Sequence, residues 1–180
     1  MESLKNLIIY IGIHGFLLLI GFVLAGILIT LKEHINKINW LIRFMILPLA
    51  ILLSLFAVSM IVNNLVAIIS LFWLQVDVGL SVWIYGNIIL PAATTYFLIW
   101  TVYFISPFYK TFFSVLVGTI WLALCIFSLY IAFNYEIYID NYLFDLFSIQ
   151  AGIFGTIVYV LSSIVAMSVA IISSIDGELD

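Results

Sequence analysis

Apolar residues in this chain run in continuous stretches longer than 20, beginning with residues 7–31, and do not show the broken periodic pattern of a soluble helix. A hydrocarbon slab about 30 Å thick is crossed by about 20 residues of helix. Within that slab every backbone polar group has to be satisfied internally, and the runs lack the alternating apolar/polar dyads of a membrane barrel. The expected fold is therefore all-α, an integral membrane helical bundle. Composition agrees, because 67% of the 180 residues are hydrophobic and 8% are charged. A soluble domain carries about 25% charged residues to face water, so five basic and nine acidic side chains build no conventional aqueous shell.

Five spans are expected, over about 7–31, 41–62, 82–105, 112–133 and 146–175, with residues 1–180 read as a single transmembrane helical domain. Asn63-Asn64 is expected to interrupt the second span, after which residues 65–74 form a stretch too short to cross alone. A short interfacial or re-entrant helix at about 64–75 is the reading. One helix from 41 to 74 would be about 50 Å long, well beyond the bilayer core. Pro48 lies near the start of the second helix and Pro91 marks a kink in the third. The first run is longer than the 7–15 residues of a signal-peptide core and lacks an A-x-A-like exit, which argues against cleavage. No internal repeat is visible, so the inverted-repeat signature of many carriers is missing.

Basic residues in short loops set orientation. Lys32, Lys37 and Arg43 lie in or beside the first loop and Lys110 in the third, whereas Asp77, Glu136, Asp140 and Asp145 fall on the opposite side. The N-terminus is expected outside and the C-terminus on the cytoplasmic side. Trp40, Trp73 and Trp83 sit near the expected interfaces, where indole rings anchor well. The stretch 134–145 sets Tyr135, Tyr138 and Tyr142 among acids, as in a short surface helix with a solvated acidic rim. Net charge is −4; no basic footprint for nucleic acid exists.

Candidate chemistry is sparse. No Asp, Glu or Lys lies in the middle of an expected span, which disfavours a proton-coupled carrier built on a carboxylate relay. Arg43 is expected to extend to the headgroups from the end of its helix. Cys125 lies in an apolar run with no partner for a disulfide or a CxxC motif, and reads as a small buried hydrophobe. Asn87, Thr94 and Thr95 are expected to bond across helices or to line a polar path beside Pro91. On the fifth helix Gly155, Ser162, Ala166, Ala170 and Ser173 form a strip of small residues that favours close packing. No phosphate-cradling loop, HExxH pair or nucleophile elbow occurs.

His14 is the exception, about seven residues inside the first span and so about 10 Å below its outer boundary. It shares a face with Leu18, Gly21 and Ala25, and Gly21 with Ala25 forms a small-xxx-small pair that lets another helix approach. Three roles suit it: an interhelical hydrogen bond, contact with a b-type haem or a quinone, or membership of a proton path. The segment from His14-Gly15-Phe16-Leu17 through Ile29 to His34 resembles the haem-bearing first helix of cytochrome b561-like proteins over about 20 residues. That resemblance implies haem gripped by histidines of different helices. Here His34 is the only other histidine and lies about 30 Å along the same element, so a haem on His14 would need a methionine such as Met60 or a ligand from another chain.

These features point to a polytopic membrane protein without catalytic activity of its own, a non-catalytic subunit of a larger respiratory or other electron-transfer complex. Its expected partners are the lipid bilayer and other membrane subunits. A redox protein using His14 and a small channel or transporter using residues 87–95 are the alternatives.

Overall fold

The structure, a computed structural model, describes residues 2–72, 84–135 and 153–179. All of its elements are helical. Helix α1 spans Glu2–His34 and leads through a 3-10 turn, Ile35–Lys37, to α2, Trp40–Phe72. Helix α3 opens with a π-helical stretch, Tyr85–Ile89, and continues as α-helix over Leu90–Ile105. Helix α4 spans Lys110–Tyr135 and α5 spans Ile153–Leu179. Each of the five contains a segment long and apolar enough to cross a membrane. The chain is thus an all-α, multi-pass membrane bundle, and its exposed apolar faces suit contact with lipid.

Packing is organised around α3. Of its most apolar window 56% is buried inside the protein, against 28% or less in the other four helices. α3 packs on α2, α4 and α5, while α1 lies outside against α2. Side-chain contacts set the directions. His14 bonds to Asn64 and Gly21 meets Met60 and Ile61, so α1 and α2 are antiparallel. Arg43 reaches residues 104–106, so α2 and α3 are antiparallel. Ser162 reaches Asn87 while Ser173 reaches Tyr96, so α5 runs parallel to α3.

The second helix departs from expectation. It does not stop at Asn63-Asn64 but continues to Phe72 as one element of 33 residues. The reason is where the two amides turn. Asn63 Nδ2 donates to Ser59 Oγ at 3.0 Å and Asn64 Nδ2 to the Met60 carbonyl at 2.6 Å, each one turn back on the same helix. An asparagine breaks a helix when its side chain competes for local backbone groups in a non-helical conformation. Here the amides bond along the helix and leave its course intact. At 1.5 Å per residue α2 is about 50 Å long, so about 20 Å is taken up by tilt or by projection past the hydrocarbon. Expectations for Trp73, Leu74, Asp77, Val82, Trp83, the tyrosine-rich stretch from Glu136 to Asp145 and the start of the fifth span at Leu146 lie outside the described residues.

Candidate functional site

Polar side chains inside the bundle fall at three levels, each tied to a different helix pair. At the end away from Lys32 and Arg43, His14 joins α1 to α2. Its Nδ1 lies 2.7 Å from Asn64 Oδ1. Because Asn64 Nδ2 is already spent on the Met60 carbonyl, its oxygen accepts and His14 Nδ1 carries the proton. The neutral tautomer then presents Nε2 as an acceptor. Tyr10 lies one turn earlier with its ring centroid 4.2 Å from the imidazole. His14 is half-buried and Asn64 is buried. Met60 sits further along, its Cβ 3.0 Å from a Cβ built on Gly21. His34 Nδ1 donates to the Thr30 carbonyl at the far end of α1 and is exposed. Among the described residues no group of three or more His, Cys, Asp and Glu side chains could hold a metal ion.

The second level is the opening of α3. Pro91 has no N–H, so the carbonyl four residues before it, on Asn87, loses its ordinary helical donor. The helix widens into the π-stretch Tyr85–Ile89 at this place. Ser162 Oγ of α5 lies 3.0 Å from the Asn87 carbonyl and 2.9 Å from the Tyr159 carbonyl of its own helix, so its single O–H is shared between the two and offers Asn87 a donor in place of the one Pro91 lacks. The expected kink at Pro91 therefore takes the form of a π-stretch sealed by a neighbouring helix. Thr94 bonds back to the Leu90 carbonyl at 2.7 Å and does not cross between helices. A double-mutant cycle checks the link. Ser162→Ala is expected to cost about 1 kcal/mol, and distinctly less in a Pro91→Ala background, where an N–H returns to the Asn87 carbonyl. Equal losses in both backgrounds would break the connection.

Ser162 belongs to the strip of small residues on α5, and that strip faces α3. Ala166 and Ala170 are buried, and Ser173 Oγ meets Tyr96 OH at 3.2 Å. An apolar groove of about 480 Å³ opens along the same seam between Ile88, Tyr96, Leu161 and Val169. On the other flank a Cβ built on Gly118 of α4 would collide with Met167 Sδ and lie 2.8 Å from Ile99 Cδ1, which marks where α3, α4 and α5 converge. Cys125 is buried as expected, accepting from Tyr159 OH at 3.4 Å. The buried hydroxyls of Ser54, Thr101, Ser114, Ser163 and Ser174 find no hydrogen-bond partner among the described residues. Single serines and threonines in apolar runs are too common to be distinctive.

The third level lies at the other end of α3, and here the reading of Arg43 is corrected. Its side chain is not extended away from the protein but is 8% exposed and folded onto the last carbonyls of α3. Nε donates to the Ile105 carbonyl at 3.2 Å, and Nη2 donates to those of Phe104 at 3.4 Å and Ser106 at 2.8 Å. A helix leaves its final carbonyls without partners and carries a partial negative charge there. A guanidinium answers both needs. Lys32 of α1 lies over the Phe104 ring at 3.8 Å and the Trp100 ring at 5.2 Å, and Lys110 of α4 over the Tyr103 ring at 5.5 Å. Three cations from three helices thus gather at one end of a fourth. No protein-family model, curated protein or solved structure matches the chain.

Proposed function

We propose that the chain is a non-catalytic subunit of a larger membrane complex, with a respiratory or other electron-transfer assembly as its setting. In this reading the N-terminus lies outside and the basic end faces the cytoplasm, as basic loop residues favour. The observation that supports subunit status is the exposure of α1, whose most apolar window is 6% buried inside the protein. A partner helix would cover it. Gly12, Gly15 and Gly26 lie within an arc of about 60° on α1 at about 100° per residue, and a Cβ built on each meets nothing within 4 Å. Against lipid alone a mid-helix glycine costs about 0.5–1 kcal/mol relative to alanine; against another helix it permits close approach.

Extraction in a mild detergent, capture by a C-terminal tag and mass spectrometry test this. Stoichiometric membrane companions are expected, and Gly15→Leu with Gly26→Leu should release them while the isolated chain keeps its stability. Recovery of the unaltered chain alone would reject the subunit reading.

A second reading, a redox protein in its own right, draws support from the His14 geometry. Histidines that ligate metals commonly donate their other ring N–H to a fixed oxygen, as His14 does to Asn64. Nε2 then suits a haem iron or the hydroxyl of a quinol. A purified chain whose reduced-minus-oxidised spectrum lacks a haem band and that takes up no quinol would sink this alternative.

A further inference from the structure

From the basic end of the bundle we infer a binding site for the phosphate of an anionic phospholipid headgroup, held by Lys32 and Arg43. Charge comes first. The C-terminus of α3 presents about half a negative charge, whereas the full positive charges of Lys32 and Arg43 lie beside Trp100 and Phe104–Ser106. The cluster keeps an excess positive charge within a chain of net charge −4. Neither Lys32 nor Arg43 pairs with a carboxylate among the described residues; Lys32 lies over aromatic rings and Arg43 bonds to carbonyls. Glu33, the described acid nearest in sequence to this end of α1, is exposed, as is Asp176 in the last turns of α5.

Geometry adds direction. Carbonyls occupy Nε and Nη2 of Arg43, and among the described residues none accepts from Nη1. A planar guanidinium fixed on one edge offers the other to an oxyanion, a geometry suited to phosphate. Depth is given by aromatic residues. Trp40 and Phe108 meet at 6.3 Å between ring centroids, Phe108 adjoins Tyr109, and all three are exposed. Such rings collect at the headgroup level of a bilayer. Where cations sit at that level, the phosphate of an anionic lipid is the abundant counter-ion.

Native mass spectrometry of the full chain in neutral detergent provides the test, titrating phosphatidylglycerol and, separately, phosphatidylcholine. Phosphatidylglycerol is expected to bind at least about tenfold more tightly, and Lys32→Gln should weaken it about fivefold, the worth of one cation near a lipid surface. Lys32 makes ring contacts alone, so its replacement leaves the helix cap of Arg43 in place. Lys5→Gln, at the opposite end of α1, should change nothing. Equal affinity for the two lipids, or an equal loss with Lys5→Gln, would overturn the inference. Full displacement of lipid by millimolar inorganic phosphate would also overturn it and mark a site for soluble anions.

Discussion

Replacing Arg43 with leucine is expected to remove about 2–4 kcal/mol of folding stability. The side chain supplies three charge-assisted hydrogen bonds to the carbonyls of Phe104, Ile105 and Ser106, and such bonds are worth about 1.5–3 kcal/mol each without adding fully. The lost cation also leaves the negative end of α3 uncompensated. Arg43→Lys should fall between leucine and the unaltered chain. An ammonium restores the charge but lacks the rigid fork that reaches several acceptors at once. Unfolding by sodium dodecyl sulfate from mixed micelles measures this. A residue extended away from the protein would behave differently: lysine would replace it without loss and leucine would cost little.

Gly21→Ala is expected to cost about 1–3 kcal/mol, as overpacking of a close contact commonly does. A Cβ at Gly21 lies 2.8 Å from Ile61 Cγ1 and 3.0 Å from both the Ile61 nitrogen and Met60 Cβ. One of these atoms is backbone, so α1 and α2 have to separate. Gly118→Ala should be milder, below about 1 kcal/mol. Its neighbours are Met167 Sδ and Ile99 Cδ1, the far ends of side chains that can swing aside. Gly15→Ala, with nothing within 4 Å, should be neutral or stabilising by up to about 1 kcal/mol through helix propensity. The order Gly21, Gly118, Gly15 is the expectation in the same unfolding assay. Equal tolerance at Gly21 and Gly15 would show that α1 does not rest on α2 at this point.

What the sequence revealed and what it concealed divide along physical lines. Apolar run length is a local property, so the five membrane-spanning helices were legible, and so was the close approach at Gly21, because the small residue Ala25 follows one turn on. The strip on α5 was legible for the same reason, although Ser163 and Ser174 beside it were not. Gly118 follows Ser114 by one turn, so the same small-xxx-small spacing occurs on α4, but a single such pair in an apolar run is not distinctive. Asn63-Asn64 misled because asparagine was read by its tendency to compete for the backbone, while in α2 both amides bond one turn back. Pro91 located the distortion of α3 but not its form, since the donor offered to the Asn87 carbonyl lies 75 residues beyond Asn87 on α5. Arg43 was misread for a similar reason: its acceptors lie 61 to 63 residues further along the chain, and no local pattern encodes such a partner. The Asn64 partner of His14 is likewise a property of the assembled bundle.

The arrangement in which α3 is central and the two basic loops lie at one end is the premise on which the cation cluster and the orientation both rest. Cysteine labelling in intact cells and in opened membranes tests it most directly, using Lys37→Cys and Tyr109→Cys separately in a Cys125→Ser background. Lys37 ends the turn before α2, and Tyr109 is the exposed residue with positive φ before α4. Both cysteines should resist a membrane-impermeant maleimide from outside and react once the membrane is opened. If one is labelled from outside and the other only after opening, the two loops lie on opposite sides and the bundle described here is wrong.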